Sequence, residues 1–193
     1  MPKSPEILSG NFDDTFKRHG LRIATSSDRK LRIWSWDDGT GGPLSGGGRT
    51  FASLAEFQTS TGIKTFKLGW GFRAGLCDSI FSVQSNNKKT IYLPIFIYVG
   101  DEGECNRDIK AFRIEGNKLN TKEKTFQAKT KLAGSIQIQF HCGRGWESHN
   151  FTVRDNGQIL LVPFIDNEEE MTEKNLRYEF DGEHYINKGI TKK

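Results

Sequence analysis

The sequence predicts an all-β domain of consecutive antiparallel hairpins, arranged as a sandwich or as a curved sheet or barrel. Three observations carry that expectation. β-prone runs recur in pairs across short polar turns. Leu21 to Thr25 and Leu31 to Trp36 flank Ser26-Ser27-Asp28-Arg29-Lys30, and similar turns fall at Asn86-Asn87-Lys88, Glu115-Gly116-Asn117, Asp155-Asn156-Gly157 and Asp181-Gly182. Hydrophobic residues are only 35% of the chain, yet 14 Phe, 4 Trp and 4 Tyr are among them, types that suit a pleated, half-buried surface. The 21 glycines cluster between the runs, where positive φ is useful.

The elements follow in order. Residues 1–20 are the one stretch with partly helical spacing, through Ile7, Leu8, Phe12 and Phe16, and read as a short helix or an arm packed on the sheet. In the strand Leu31 to Trp36, Leu31, Ile33 and Ser35 face one way, and Arg32, Trp34 and Trp36 the other. Asp37 to Gly48 is glycine-rich and reads as a loop. Thr50 to Gln58 and Ile63 to Trp70 pair around Ser60-Thr61-Gly62, and Ser79 to Gln84 pairs with Thr90 to Val99. The second of these, Ile91-Tyr92-Leu93-Pro94-Ile95-Phe96-Ile97-Tyr98-Val99, is nearly all apolar and is expected to be the most buried strand. Pro94 points to a bulge or an edge position there. Ile109 to Ile114 alternates, with Ile109, Ala111 and Arg113 opposite Lys110, Phe112 and Ile114. Ser135 to His141 turns Ile136, Ile138 and Phe140 inward. Asn150 to Val153, Gln158 to Val162, Asn175 to Phe180 and Glu183 to Ile186 complete the set. The organisation is a single β domain over 21–187, an arm before it and a flexible tail at 188–193. A small propeller is the alternative for repeated hairpins, but the uneven turn spacing favours a sandwich or curved sheet.

Composition narrows the function. The 193 residues can bury a core without metal or disulfide staples. The net charge is +4, with 28 basic and 24 acidic residues interspersed rather than striped, so a nucleic-acid partner is not expected. Lys122, Lys124, Lys129 and Lys131, interrupted by Glu123, read as a solvated connector. No stretch approaches the ~20 apolar residues that cross a bilayer. The first residues contain no apolar leader segment, which fits an exported (periplasmic or secreted) protein whose leader has been removed, or a cytoplasmic one. Three cysteines, Cys77, Cys105 and Cys142, allow one pair at most. If one forms, Cys77 with Cys105 is expected from their proximity in sequence.

No catalytic, metal or cofactor signature is strong. Ser26-x-Asp28 before Leu31-Arg32-Ile33-Trp34 looks like the aspartate turns of WD-repeat and sialidase-type propellers. With Lys30 where those turns carry glycine, it reads as an ordinary Asx turn. His141-Cys142-Gly143-Arg144-Gly145-Trp146-Glu147-Ser148-His149 is the densest reactive cluster, but it has no matching second Cys/His pair for a metal. Asp37-Asp38-Gly39 lacks the alternating oxygen ligands of a calcium loop, and Gly41 to Arg49 lacks the ending of a phosphate loop. What remains is a recognition-like set: Trp34, Trp36, Asp37, Asp38, Trp70, Arg144, Trp146 and His149. Trp34 and Trp36 serve equally as core residues of a layered fold.

The stretch Gly20 to Gly42, with Ser26-Ser27-Asp28-Arg29-Lys30-Leu31-Arg32-Ile33-Trp34-Ser35-Trp36-Asp37-Asp38-Gly39-Thr40-Gly41-Gly42 at its centre, resembles an uncharacterised group of small, mostly exported bacterial proteins. Thr90-Ile91-Tyr92-Leu93, Ile109-Lys110-Ala111-Phe112-Arg113-Ile114 and Tyr178-Glu179-Phe180-Asp181-Gly182-x-x-Tyr185 fit the same group, over about residues 10–187. The chain departs from it after Gly42, where Pro43 to Gly48 is rearranged. The resemblance implies a β fold and export, and supplies no mechanism. The expectation is therefore a non-enzymatic binding module that uses no cofactor and does not insert in a membrane. Its partner would be a protein, a toxin or enzyme that it blocks as an inhibitor or immunity-type protein. The alternatives are glycan binding through Trp34 and Trp36, and a hydrolase using Cys142 with His141 or His149.

Overall fold

A computed structural model describes residues 20–39, 49–71, 74–100, 104–128, 130–141, 150–165 and 171–192. The expected N-terminal arm and the glycine-rich segment lie outside these residues. The described chain is antiparallel β-structure apart from a short parallel pairing, as the turn and aromatic pattern requires.

Four strands, β1 (Leu21–Thr25), β2 (Leu31–Asp37), β3 (Phe51–Thr59) and β4 (Gly62–Gly71), form a first sheet in sequence order. β5 (Leu76–Gln84), β6 (Thr90–Val99) and β7 (Glu104–Lys110) form a second, and a small hairpin follows, β8 (Arg113–Glu115) with β9 (Lys118–Asn120). β10 (Phe126–Ala128) and β11 (Lys131–Ala133) lead to β12 (Ser135–His141), which returns to pair with β7. β13 (Thr152–Arg154), β14 (Ile159–Ile165), β15 (Met171–Phe180) and β16 (Tyr185–Lys192) join β10 and β11 in a six-stranded third sheet.

The second sheet is the middle layer. Alternate residues of β6 enter different cores. Ile91, Leu93 and Ile95 pack with Leu160, Val162, Tyr178 and Tyr185 of the third sheet. Tyr92 and Phe96 pack with Leu31, Ile33, Ala55 and Phe57 of the first. A strand covered on both faces has no solvent side on which to place polar residues, so its sequence loses alternation. The expected sandwich is thus present, with a third layer. The sheets do not close into a barrel. Each core joins adjacent sheets only, so the layers do not close into a propeller ring either.

Pro94 is at neither an edge nor a bulge of β6. It falls where the β6–β7 ladder stops, between the Ile95–Ile109 pair and the isolated Tyr92–Phe112 bridge. No β6–β7 pair is formed at Pro94 itself, so the N–H it lacks is missing from no ladder pair on that side. The bulge is on β5, between Cys77 and Ser79.

Serine hydroxyls stitch the first sheet to β5. Ser53 Oγ donates to the Gly75 carbonyl at 2.7 Å, and Ser35 Oγ accepts the Cys77 N–H at 3.0 Å. Both serines are buried, and each is hydrogen-bonded as buried polar groups must be.

Two further expectations are corrected. Residues 188–192 are not a tail. They continue β16, with Lys192 opposite Lys174, because β15 starts at Met171 and is long enough to pair them. Cys77 is not paired with Cys105. Cys77 is a free, buried thiol and Cys105 is disulfide-bonded. Cys77 faces the first core and Cys105 the second, so the middle sheet separates them.

Strand direction sorts the connections. The turns 26–30, 60–61, 85–89, 155–158 and 181–184 join strands at one end of the layers.

Candidate binding groove

The first and middle sheets approach each other where β1, β2 and β3 meet β5. On the side of β4 and β7 they enclose a groove of about 400 Å³. Its floor is Phe96 and Tyr98 of β6, Lys110 of β7 and Phe112. Ser53, Leu68 and Gly69 form one wall, and Lys122 and Lys124 lie on the other side. Phe112, Ile114 and Leu119, from the β8–β9 hairpin and the residue before it, are packed into the core that continues beyond the floor. At the turn end that hairpin is tied to the β3–β4 turn by Thr61 Oγ1 donating to Asn117 Oδ1, 2.8 Å.

Lys110 is the centre of the floor. Its Nζ donates to the Tyr98 hydroxyl at 2.8 Å, lies 3.7 Å from Asp108 Oδ2, and sits 5.0 Å from the Phe96 ring centre. The aromatic face favours the cation and holds the ammonium at the groove surface. Burial raises the Tyr98 pKa, and the Asp108 carboxylate raises it further. Burial also pushes the Cys77 thiol well above its ordinary value, with the Asp78 charge adding to it, which keeps it an unreactive neutral group. Gly75 is required behind Tyr98, because a Cβ there would stand 2.9 Å from both the Ile97 carbonyl and the Tyr98 ring.

Asp108 makes a pH prediction. Its pKa is raised by burial, and Lys110 only partly offsets that. A carboxyl whose folded pKa exceeds its unfolded one stabilises the fold while protonated, and that contribution is lost as pH rises through the folded value. Asp108→Asn should therefore have a higher Tm than the parent at pH 7, with the gap closing toward pH 3. A variant less stable at pH 7 would show that the Lys110 pair outweighs burial.

The described residues among those singled out in the sequence do not converge on this groove. Trp34 and Trp36 are half-buried on the outer face of the first sheet, in neither core, with Trp34 Nε1 donating to Glu56 Oε2 at 2.8 Å. Arg32 shares that face, 5.7 Å from the Trp34 ring centre, and is 2% exposed. Asp37 is exposed at the end of β2 and accepts the Gly39 N–H at 2.9 Å. Asp38 accepts the Thr50 hydroxyl, and its N–H donates to the Thr50 carbonyl at 3.1 Å, so it tethers β2 to the start of β3. Trp70 is on β4 opposite Ala52. Arg144, Trp146 and His149 lie outside the described residues, as does Cys142. Among the described residues, no group of three or more His, Cys, Asp or Glu side chains could hold a metal ion, and no helix is long and apolar enough to cross a membrane.

Sequence reasoning missed Lys110, Tyr98 and Asp108. A signal was present: Lys110 alternates with Phe112 and Ile114, a lone cation on an otherwise apolar strand face. Lys122 and Lys124 are exposed, but the stretch read as a solvated connector also buries Thr125 and Phe126 and supplies β10 and β11, and the fold places the two lysines beside that cation.

No family model, no curated protein and no solved structure matches this chain.

Proposed function

We propose that this protein is a non-enzymatic binding module that receives an extended, acidic segment of a protein partner along β4. The observation that carries the reading is the position of β4. This ten-residue strand is the edge of the first sheet and borders the groove. Lys64 and Phe66 lie opposite Phe57 and Ala55, so they are on the face that looks toward the groove. Both are exposed, and Phe66, at 39%, is one of the few large apolar side chains among the described residues left in solvent.

Long exposed edges invite another strand, and proteins that have no use for one usually blunt it. An added strand would gain main-chain hydrogen bonds from β4, and its alternate side chains would enter the groove. The charge complementarity favours acidic residues in that segment, because Lys64, Lys110, Lys122 and Lys124 are the cations on that side. Occupying a partner's segment in this way is how an inhibitor or immunity-type protein would block a toxin or enzyme. The disulfide at Cys105 supports an oxidising compartment such as the periplasm.

The test is affinity capture from periplasmic and cytosolic fractions, with the parent chain and Phe66→Glu side by side. A stoichiometric partner should bind the parent at least about tenfold more tightly, the factor equivalent to about 1.4 kcal/mol. Amide exchange in β4 should slow in the complex. A partner held equally well by both proteins, with β4 exchange unchanged, would refute the reading, as would the absence of any stoichiometric protein partner.

A further inference from the structure

The groove is itself a pocket of small-molecule size. Lys110 is 29% exposed at the side chain and lies on the pocket surface. An ammonium has three donors, and here one goes to Tyr98 while Asp108 is at ion-pair distance only. Among the described residues, every charged side chain lining the pocket is a lysine: Lys110, Lys122 and Lys124. The rest of the lining mixes apolar Phe96, Phe112 and Leu68 with polar Ser53, Thr121 and Ser135, and the Phe96 ring centre lies 5.0 Å from the cation. A volume of about 400 Å³ is in the range of small-molecule sites, which are mostly apolar with a few placed polar groups.

We infer that this pocket binds a carboxylate carried on an aromatic or aliphatic stem, with the Lys110 ammonium holding the carboxylate and Phe96, Phe112 and Leu68 holding the stem. A bare inorganic anion would leave the apolar walls unused, and a neutral apolar ligand would strip water from Lys110 without replacing it. Lys122 and Lys124 are exposed, so their part is to draw the anion in rather than to fix its position. The carboxylate can belong to a free small acid or to the acidic segment proposed above. In the second case this inference rests on that reading, and it then names the side-chain chemistry that gives the segment its register.

The experiment is an amide chemical-shift titration of the full chain with 3-phenylpropionate and with its uncharged isostere 3-phenylpropionamide, at constant ionic strength. The acid should produce saturable shifts at Leu68, Phe96 and Lys110, and the amide should bind at least about tenfold more weakly. Lys110→Gln should abolish that preference, and Lys110→Arg should keep most of it. Should Lys110→Gln fail to fold, the exposed pair Lys122→Gln/Lys124→Gln should still weaken the acid a few-fold and leave the amide unaffected. Equal binding of acid and amide, shifts confined to other parts of the chain, or no saturable shift at millimolar ligand would overturn the inference. An acidic hexapeptide with phenylalanine at its centre separates the two sources. Phe66→Glu should lose the peptide and keep the small acid if both readings hold. A protein that binds the acid and ignores the peptide leaves the pocket standing and refutes the β4 reading alone.

Discussion

Gly157→Ala should destabilise the fold by about 2–5 kcal/mol, a large fraction of the stability of an ordinary domain. Gly157 has φ 89° and follows two residues, Asp155 and Asn156, that are also left-handed. A side chain at this backbone angle is strained by about 1–2 kcal/mol. The site is also crowded: a Cβ would stand 2.6 Å from the Ser82 carbonyl and 3.0 Å from Val83 Cβ. These are atoms of β5 in the middle sheet, so the clash forces the third layer away from the second. The displacement would also strain the hydrogen bond from the fully buried Tyr185 hydroxyl to the Gly157 carbonyl. Urea unfolding measures the loss, and Gly189→Ala is the control. Gly189 has φ 91° with nothing within 4 Å, so only the backbone strain applies there. Equal losses at the two positions would show that the close approach to Ser82 contributes nothing.

Asp28→Ala is expected to cost about 2–3 kcal/mol, against about 1 kcal/mol for Asn87→Ala. The two residues occupy the same place in two copies of one turn. In the first, Asp28 Oδ1 accepts from Ser26 Oγ at 2.7 Å and from the Lys30 N–H at 3.1 Å. In the second, Asn87 Oδ1 accepts from Ser85 Oγ at 2.6 Å and from the Lys89 N–H at 3.2 Å. Arg29 and Lys88 follow with φ 58° and 59°. The difference is tertiary. Asp28 Oδ2 also accepts the Tyr92 hydroxyl at 2.8 Å, which ties the first sheet to the middle one. Burial and this bond raise the Tyr92 pKa, so the hydroxyl remains a donor. Tyr92→Phe alone should cost about 1 kcal/mol, and the double variant should cost less than the sum of the singles. Strict additivity in the cycle would mean that the Asp28–Tyr92 bond carries no energy.

These two sites show how unevenly the fold was legible. The Asx geometry at Asp28 follows from Ser-x-Asp-x-Lys between two β runs, since the side chain bonds its own turn wherever the chain reverses. The tie to Tyr92 has no local signal, because the partners are 64 residues apart. Leu31, Ile33 and Ser35 were readable as one face of β2, and they are buried together. The opposite face, with Arg32 and Trp34, also loses most of its contact with water, although the reading of Trp34 and Trp36 as core residues is met only in part, since both are half-buried and belong to neither core.

The candidate groove was less legible still. Trp34, Trp36, Asp37 and Asp38 stand out by residue type, yet they lie on the outer face of the first sheet and at its end, whereas the groove lies on the inner side. Residue type marks an unusual side chain without saying which layer it meets. Lys110 and Arg107 make the point together. Both are cations on β7, three residues apart and so on opposite faces. Lys110 reaches the groove, while Arg107 is 2% exposed beside Ile138, Cys105 and Ile109 on the side of the second core.

The sequence by itself did not determine β10, β11 or the end of β16, but it determined most of the long strands, their hairpin turns and the buried character of β6. Those depend on two-residue alternation and on turn chemistry, which act over a few neighbouring residues. Only the tertiary structure decided that there are three layers, that Cys77 and Cys105 belong to different cores, and that Lys110, Lys122 and Lys124 share one groove. Alternation divides a strand into two faces and is silent on what each face meets. That assignment is made by sheet stacking, through contacts between residues far apart in the chain.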